Sequence, residues 1–344
     1  MALTHLLAKL SIFPRILQPT TDALFSSLPF THRWRLLLLQ PINVLAFSLT
    51  CSTFLFTTSY TVTYIPTRSG PKRCLVFQPP RLPPDTAPRP LHIDFHGGGF
   101  VGGGPEQNVR WCALLAQRTG AVVVSGSYRL APRHVYPAAH DDADDIVRHA
   151  VANAAVLGAD SGLLTLGGSS AGGALALGAC QGLPAGAAKA WLGFCVPVDL
   201  RLRPRDKVRP EGFPARNPLA VLEPLFDAYA GTEREGNSGD ARCHPVLAGS
   251  EDLPEDLLFV CAGIDILLHE QTVLVERLDR ERTERGDGAV DVMVVEKGFH
   301  GFIELPSLIM EKERLEVFEK ALGFVKAVHR KHGFDFDYKK QRVM

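Results

Sequence analysis

Ser170 stands at the centre of Gly168-Ser169-Ser170-Ala171-Gly172, a G-x-S-x-G pattern. It follows a short apolar run, Leu163 to Leu166, that reads as a strand, and it opens a run of small residues, Ala171 to Cys180, that reads as a helix. A chain that turns from strand to helix in so few residues is strained at the central position. Gly168, Gly172 and Gly173 give strand and helix the room to approach. The hydroxyl is thereby carried to a helix start, where the dipole favours a developing anion. Framed on Ser169, the pattern would put Ala171 at its second glycine, so Ser170 is the candidate nucleophile. The pattern alone also fits a glycine-rich loop that only packs strand on helix.

A serine hydroxyl is a weak nucleophile without a base, and on this kind of topology acid and base follow it in the order Asp or Glu, then His. After the apolar run 257 to 262 comes Gly263-Ile264-Asp265, and after 290 to 295 comes Gly298-Phe299-His300-Gly301-Phe302. Both lie just past strand ends, where α/β proteins build sites. Asp265 would hold the His300 tautomer and stabilise its cation. Each has a plainer reading, Asp265 as a helix cap and His300 as packing between phenylalanines. Order, spacing and placement together favour the catalytic one. His244 and His269 compete as the base, His269 from within the following helix.

His96-Gly97-Gly98-Gly99-Phe100 follows the strand pattern Leu91 to Phe95. Such glycines let main-chain N–H groups converge on one point, as a tetrahedral oxyanion requires. Gly97, Gly99 and Gly102 also spell G-x-G-x-x-G, but the next strand ends Ser125-Gly126-Ser127 without the acid a dinucleotide site needs, and Pro105 interrupts the exit. No Gly-Lys-Ser/Thr follows, so a phosphate loop fails as well. His140-Asp141-Asp142-Ala143-Asp144-Asp145 could hold a metal, but acids in a first helical turn complement the dipole without an ion, and no metal is expected.

These loops need a scaffold. Strand patterns at 60–65, 72–77, 91–95, 121–125, 163–166, 191–196, 257–262 and 290–295 alternate with helical ones at 106–118, 142–157, 171–180 and 267–283. The alternation implies an α/β fold with a mostly parallel sheet. Leu315, Phe318, Leu322 and Val325 are expected on one face of a final helix. Residues 79–90 read as a Pro-rich loop, 197–218 as irregular, and 329–344 as a fraying tail.

With 344 residues, 46% of them apolar, the chain can bury a large core, which excludes global disorder. Lys plus Arg and Asp plus Glu are 37 each, so no general electrostatic grip on nucleic acid is expected. Seven widely spaced cysteines without a C-x-x-C read as free thiols in a reducing compartment.

Residues 1–59 stand apart. Lys9, Arg15, Arg33, Arg35 and Arg68 face the single acid Asp22 in the first 70 residues, and positions 36–67 carry no formal charge. A basic flank before an apolar stretch is the pattern of a membrane anchor. Against it, Pro41 and Asn43 interrupt the run, and Phe54 to Tyr64 alternate as a strand would, which leaves only 36–52 for a helix. The apolar run starts too late for a cleaved signal peptide. The segment is expected to be either a lid or a membrane-associating element through residues 31–56. The chain would then be cytoplasmic or associated with an intracellular membrane.

Taken together, these motifs resemble the hormone-sensitive-lipase-like branch of the α/β-hydrolases, from about residue 72 to 326. The resemblance rests on His96-Gly97-Gly98-Gly99-Phe100, on Tyr128-Arg129-Leu130-Ala131-Pro132 running through His134 to Pro137-Ala138-Ala139, and on Ser170, Asp265 and His300 in order. It implies an eight-stranded central sheet flanked by helices, with a helical cap built partly from N-terminal helices and partly from 197–220. The catalytic domain would then be 60–344. It implies Ser170 as nucleophile, His300 as base, Asp265 as orienter, and oxyanion donors at the N–H groups of Gly98, Gly99 and Ala171. The implied activity is hydrolysis of small carboxylic esters, short to medium acyl or acetyl, without metal or organic cofactor. Three other readings use the same fold: a lyase or dehydratase at the same residues, a membrane-anchored deacetylase or lipase, and a non-catalytic small-molecule receptor, which His300 argues against. The sequence departs from the family at Ser169 (usually Asp), Arg133 (usually Glu) and His269-Glu270 (often Asp-Glu).

Overall fold

The computed structural model describes residues 2–80, 88–215, 217, 220–231, 234–285, 290–306 and 309–336, without the side chains of 2–4 and 51–53. Most of the Pro-rich loop (81–87) and the end of the tail (337–344) lie outside the described residues.

Eight strands form one sheet: β1 (Thr61–Ile65), β2 (Lys72–Phe77), β3 (Arg89–Phe95), β4 (Val122–Gly126), β5 (Ala159–Ser169), β6 (Ala188–Phe194), β7 (Asp256–Ile264) and β8 (Val290–Phe299). Their order is β1-β2-β4-β3-β5-β6-β7-β8. β2 runs antiparallel to β1 and β4, and every other pair is parallel. The central strands are apolar on both faces because helices cover both. Successive residues point to opposite sides. Val123, Leu192, Phe194, Leu258 and Val260 join a core with Trp111, Phe318 and Leu322. Their neighbours Val122, Val124, Trp191, Leu257 and Phe259 join another with Ile146, Leu175 and Leu274.

The first core is closed by α4 (Val109–Thr119) and by the terminal Glu311–Lys331 helix; the second by α5 (Ala138–Ala152), α6 (Ala171–Gln181) and α7 (Leu268–Arg285). The terminal helix, α8, buries Phe318, Leu322 and Val325 as expected, but Leu315 is 44% exposed. Arg314 is buried beside it instead, donating to the carbonyls of Leu305 and Pro306 and paired with Glu311. The helix expected at 142–157 begins earlier, at Ala138, and breaks at Asn153 before a single turn, Ala154–Leu157.

The N-terminal segment forms three helices, α1 (Ala2–Leu10), α2 (Phe13–Phe25) and α3 (Phe30–Leu55). The expected helix 36–52 is therefore too short and the expected strand alternation from Phe54 is wrong. Leu36, Leu39, Phe47 and Phe54 recur at helical spacing and are all buried, so core contact continues the helix through the apparent alternation. The strand starts only at Thr61. No helix among the described residues is long and apolar enough to cross a membrane. The layer is instead bound to the domain. Arg73 on β2, buried against Glu106 at 2.6 Å, also donates to Ala8 O at 2.8 Å, and Arg35 donates to Val221 O at 2.7 Å, while within the layer Gln40 donates to Ile16 O at 2.9 Å.

Two glycines separate steric from conformational need. A Cβ on Gly172 would lie 2.1 Å from the Phe95 carbonyl oxygen, whereas Gly158, at φ 78°, has nothing within 4 Å. Gly172→Ala should cost about 3 kcal/mol or more, because backbone must move, and Gly158→Ala only about 1–2 kcal/mol. Urea unfolding of both variants checks the ranking; equal midpoints would contradict it.

Candidate active site

The side chains that converge here are held by the C-terminal ends of three parallel strands. β5 ends at Ser169, and Ser170 then takes φ 48°, ψ −124° before α6 begins at Ala171. A positive φ on a non-glycine residue costs energy and is sustained only where the surroundings impose it. Here the Ser170 N–H donates to Phe194 O at 2.7 Å, and the Gly173 N–H donates to Ser170 O at 2.9 Å, so the turn is fixed on both sides.

The Ser170 Oγ lies 2.9 Å from His300 Nε2. His300 follows β8, and its Nδ1 lies 2.7 Å from Asp265 Oδ2. Asp265 follows β7; its other oxygen accepts the Leu267 N–H at 3.0 Å, which fixes the carboxylate. The Asp265 side chain is 1% exposed and the imidazole 45%, so the histidine opens to solvent on one side and is anchored on the other. Surrounding protein pulls the imidazolium down, but the charge and hydrogen bond of Asp265, with Glu304 nearby, outweigh this and raise His300 above the ordinary histidine range.

The glycine loop after β3 takes backbone that side chains resist, with Gly98 at φ 115° and Gly99 at φ 59°. The N–H groups of Gly98, Gly99 and Ala171 have no backbone acceptor among the described residues. The loop is held from below. His96 Nδ1 lies 2.7 Å from Gly97 O, its ring stacks on Tyr128 at 4.4 Å, and the Tyr128 hydroxyl donates to His96 O at 2.8 Å. Burial, with Arg15 beside it, pushes His96 well below its ordinary range, so it is a neutral structural imidazole. Gly168 and Gly172 pack on the Phe95 carbonyl, which brings β5 and α6 against this loop. On its outer side, a Cβ on Gly99 would lie 2.8 Å from the Phe226 ring, which belongs to the helical turn Glu223–Phe226.

Other sequence candidates fall elsewhere. His244 accepts the Leu200 N–H at 3.1 Å, and His269 is exposed on α7. The acidic run after His140 is neutralised by arginines: Asp141 and Asp144 by Arg242, Asp142 by Arg129, and Asp145 by Arg68. His140 itself meets the Tyr229 hydroxyl at 2.7 Å.

At the departures from the pattern, Arg133 reaches Asp22 on α2 at 3.1 Å and His269 is exposed, while Glu270, which keeps the pattern, accepts the N–H groups of Val198 and Asp199 and pairs with Lys207.

Sequence reasoning missed Glu304, which accepts the Ser169 hydroxyl, and Arg15 of α2. The Arg15 Nε donates to Gly103 O at 2.9 Å, and its guanidinium lies 3.4 Å from His96 Nε2. Burial lowers Arg15 to about 10, which leaves it charged at neutral pH. No motif marks either residue, and Arg15 reads in the sequence as one of several basic residues in the N-terminal segment.

A family profile described as alpha/beta hydrolase fold matches residues 92–304. An ethyl acetate hydrolase of Pseudomonas putida is 31% identical over 241 residues, 69% of this chain and 73% of that protein. An esterase of Mycobacterium tuberculosis is 42% identical over 108 residues, which is 31% of this chain and only 33% of that esterase. Human hormone-sensitive lipase is 32% identical over 166 residues, 45% of this chain and 15% of that much longer protein. Among solved structures, a hyperthermophilic esterase of Pyrobaculum calidifontis superposes with a TM-score of 0.70 at 26% identity, covering 85% of this chain and 93% of that one.

A base must be neutral to accept a proton, so a raised His300 shifts the inactive, protonated form to higher pH. The acid limb of kcat/KM should centre above about 6.5. Asp265→Asn should lower kcat by about 10³–10⁴ and move that limb to lower pH. A pH–rate profile checks both; a limb below the ordinary histidine range in the unaltered protein would contradict the geometry.

Proposed function

Because the chain belongs to the α/β-hydrolase family, in its hormone-sensitive-lipase-like branch, we propose that it is a serine hydrolase of carboxylic esters with Ser170 as nucleophile. The observation that carries this reading is the continuous hydrogen-bond chain from Ser170 through His300 to Asp265, at a strained elbow beside the glycine loop. His300 takes the hydroxyl proton as Ser170 Oγ attacks the acyl carbon. The oxyanion is received by the N–H groups of Gly98, Gly99 and Ala171, with the dipole of α6 behind Ala171. His300 returns the proton to the leaving alcohol, then activates the water that frees the acid. Asp265 holds the Nδ1 proton and offsets the imidazolium charge throughout.

Substrates are small, uncharged esters with short to medium acyl groups. Phe226 against Gly99 narrows the space beside the oxyanion donors, and relatives named as an ethyl acetate hydrolase and a versiconal hemiacetal acetate esterase act on acetates. Ser170→Ala should reduce kcat/KM for p-nitrophenyl acetate by at least about 10⁴-fold. Turnover at the unaltered rate would overturn the proposal, and an acyl-length series from acetyl to palmitoyl should peak among the shorter chains.

Residues 1–59 serve as a lid that docks on a phospholipid surface. Leu38, Ile42, Leu45 and Leu49, spaced for one face of α3, are 44%, 47%, 58% and 56% exposed, and Phe25 at the end of α2 and Phe30 at the start of α3 are 84% and 78% exposed. An apolar face of this size on a helix whose opposite face is already packed fits an interfacial element. The protein should float with phosphatidylcholine–phosphatidylserine vesicles, and Leu45→Glu with Leu49→Glu should leave it at the bottom of the gradient. Failure of the unaltered protein to float would refute the docking.

A further inference from the structure

One more ionisable group lies within the site and takes no part in the reaction as proposed. Glu304 closes the helical turn Phe302–Glu304, four residues past His300. Its Oε1 accepts the hydroxyl of Ser169, the residue before the nucleophile. The same oxygen presses on the glycine loop, since a Cβ on Gly97 would lie 2.6 Å from it. Ser169 is 2% exposed and also reaches Asn108 Oδ1 at 3.5 Å, while Asn108 donates to Asp94 at 2.6 Å and to Phe95 O at 3.3 Å. One carboxyl group therefore touches the nucleophile strand and the glycine loop while belonging to the base loop. Among the described residues no Lys or Arg pairs with it, and its charged neighbour is His300.

We infer that Glu304 is a positioning residue for the ester hydrolysis: its carboxylate fixes the spacing of the three loops through Ser169 and Gly97, and it is a second counter-charge, behind Asp265, for the imidazolium of His300. The inference rests on the serine-hydrolase reading. Burial pushes Glu304 above the ordinary carboxylate range, and the Ser169 hydroxyl and the His300 charge pull it back. Reciprocally, the Glu304 charge raises His300. The other titratable groups facing this pair are Asp265 and Lys207 on the histidine side, Asp94 and Tyr128 on the glycine-loop side, and Cys195 after β6. Of these only Lys207 is a cation; it pairs with Glu270 and opposes the His300 charge. When His300 takes the Ser170 proton, a carboxylate at Glu304 stabilises the cation without exchanging a proton itself.

Glu304→Gln keeps the shape and can still accept the Ser169 hydroxyl, so it removes charge and little else. It should lower kcat about tenfold with KM nearly unchanged. It should also move the acid limb of kcat/KM to lower pH by about half a unit to one unit, because the imidazolium loses a counter-charge. The double variant Ser169→Asp with Glu304→Gln restores a carboxylate to the same hydrogen bond with donor and acceptor exchanged. It should return kcat to within about threefold of the unaltered protein and move the limb back. A folded Glu304→Gln with unaltered kcat and acid limb would overturn the inference, as would a folded double variant without rescue. If Glu304→Gln does not fold, Glu304→Asp, which keeps the charge, should retain the limb, and a limb shifted down in that variant would also overturn it. Ser170→Ala assayed alongside separates the two claims, because activity there defeats the hydrolase reading itself, whereas its loss together with a normal Glu304→Gln defeats only the role of Glu304.

Discussion

The structure depends on one close approach. β5, α6 and the loop after β3 meet where Gly168 and Gly172 lie against the Phe95 carbonyl, at distances a side chain could not occupy. Because strand and helix are that close, Ser170 is driven to φ 48°. That conformation costs energy, which the parallel sheet and the two cores on its faces must offset. In return the hydroxyl projects beside the helix start and the glycine loop, and the ends of β7 and β8 need only deliver Asp265 and His300 to one point. The sheet order places those strands on the β6 side of β5 and the glycine loop on the other, so Ser170, His300 and Asp265 meet over the middle of the sheet.

The N-terminal helices are tied into that arrangement by buried charge rather than by apolar contact alone. Arg73 with Glu106 fastens the end of α1 to β2, and Arg15 of α2 reaches the backbone of the glycine loop and the ring of His96. Breaking one partner of such a buried pair leaves an uncompensated charge, which is costly. The N-terminal helices and the glycine loop are consequently one mechanical unit, even though α3 turns a row of aliphatic side chains outward. Arg133 with Asp22 adds a further tie, although Arg133 is largely exposed and the pair contributes little.

Much of this was legible in the sequence because the demands were local. A strand–turn–helix with glycines at 168 and 172 has few other solutions, and the central strands announce themselves by unbroken apolar runs. The family resemblance supplied the eight-stranded sheet. The errors arose where two periods overlap or where contact is distant. Phe54 fits both a strand alternation and the helical row Leu36, Leu39, Phe47, and only the core beneath α3 decides between them. Leu315 was placed on a face from which the helix turns it away, while Arg314 enters the interior because backbone carbonyls receive it. Glu304 and Arg15 carry no motif; their relation to Ser169 and His96 spans 135 and 81 residues and exists only once the sheet has formed.

The central claim is that, among the described residues, the hydroxyl of Ser170 is the group made nucleophilic by its surroundings. Treatment with a fluorophosphonate, followed by digestion and mass mapping of the peptides, tests it most directly. The account predicts one stoichiometric adduct on Ser170, abolished when His300 is replaced by alanine. An adduct on another residue, or an unlabelled Ser170 in the folded protein, would contradict it.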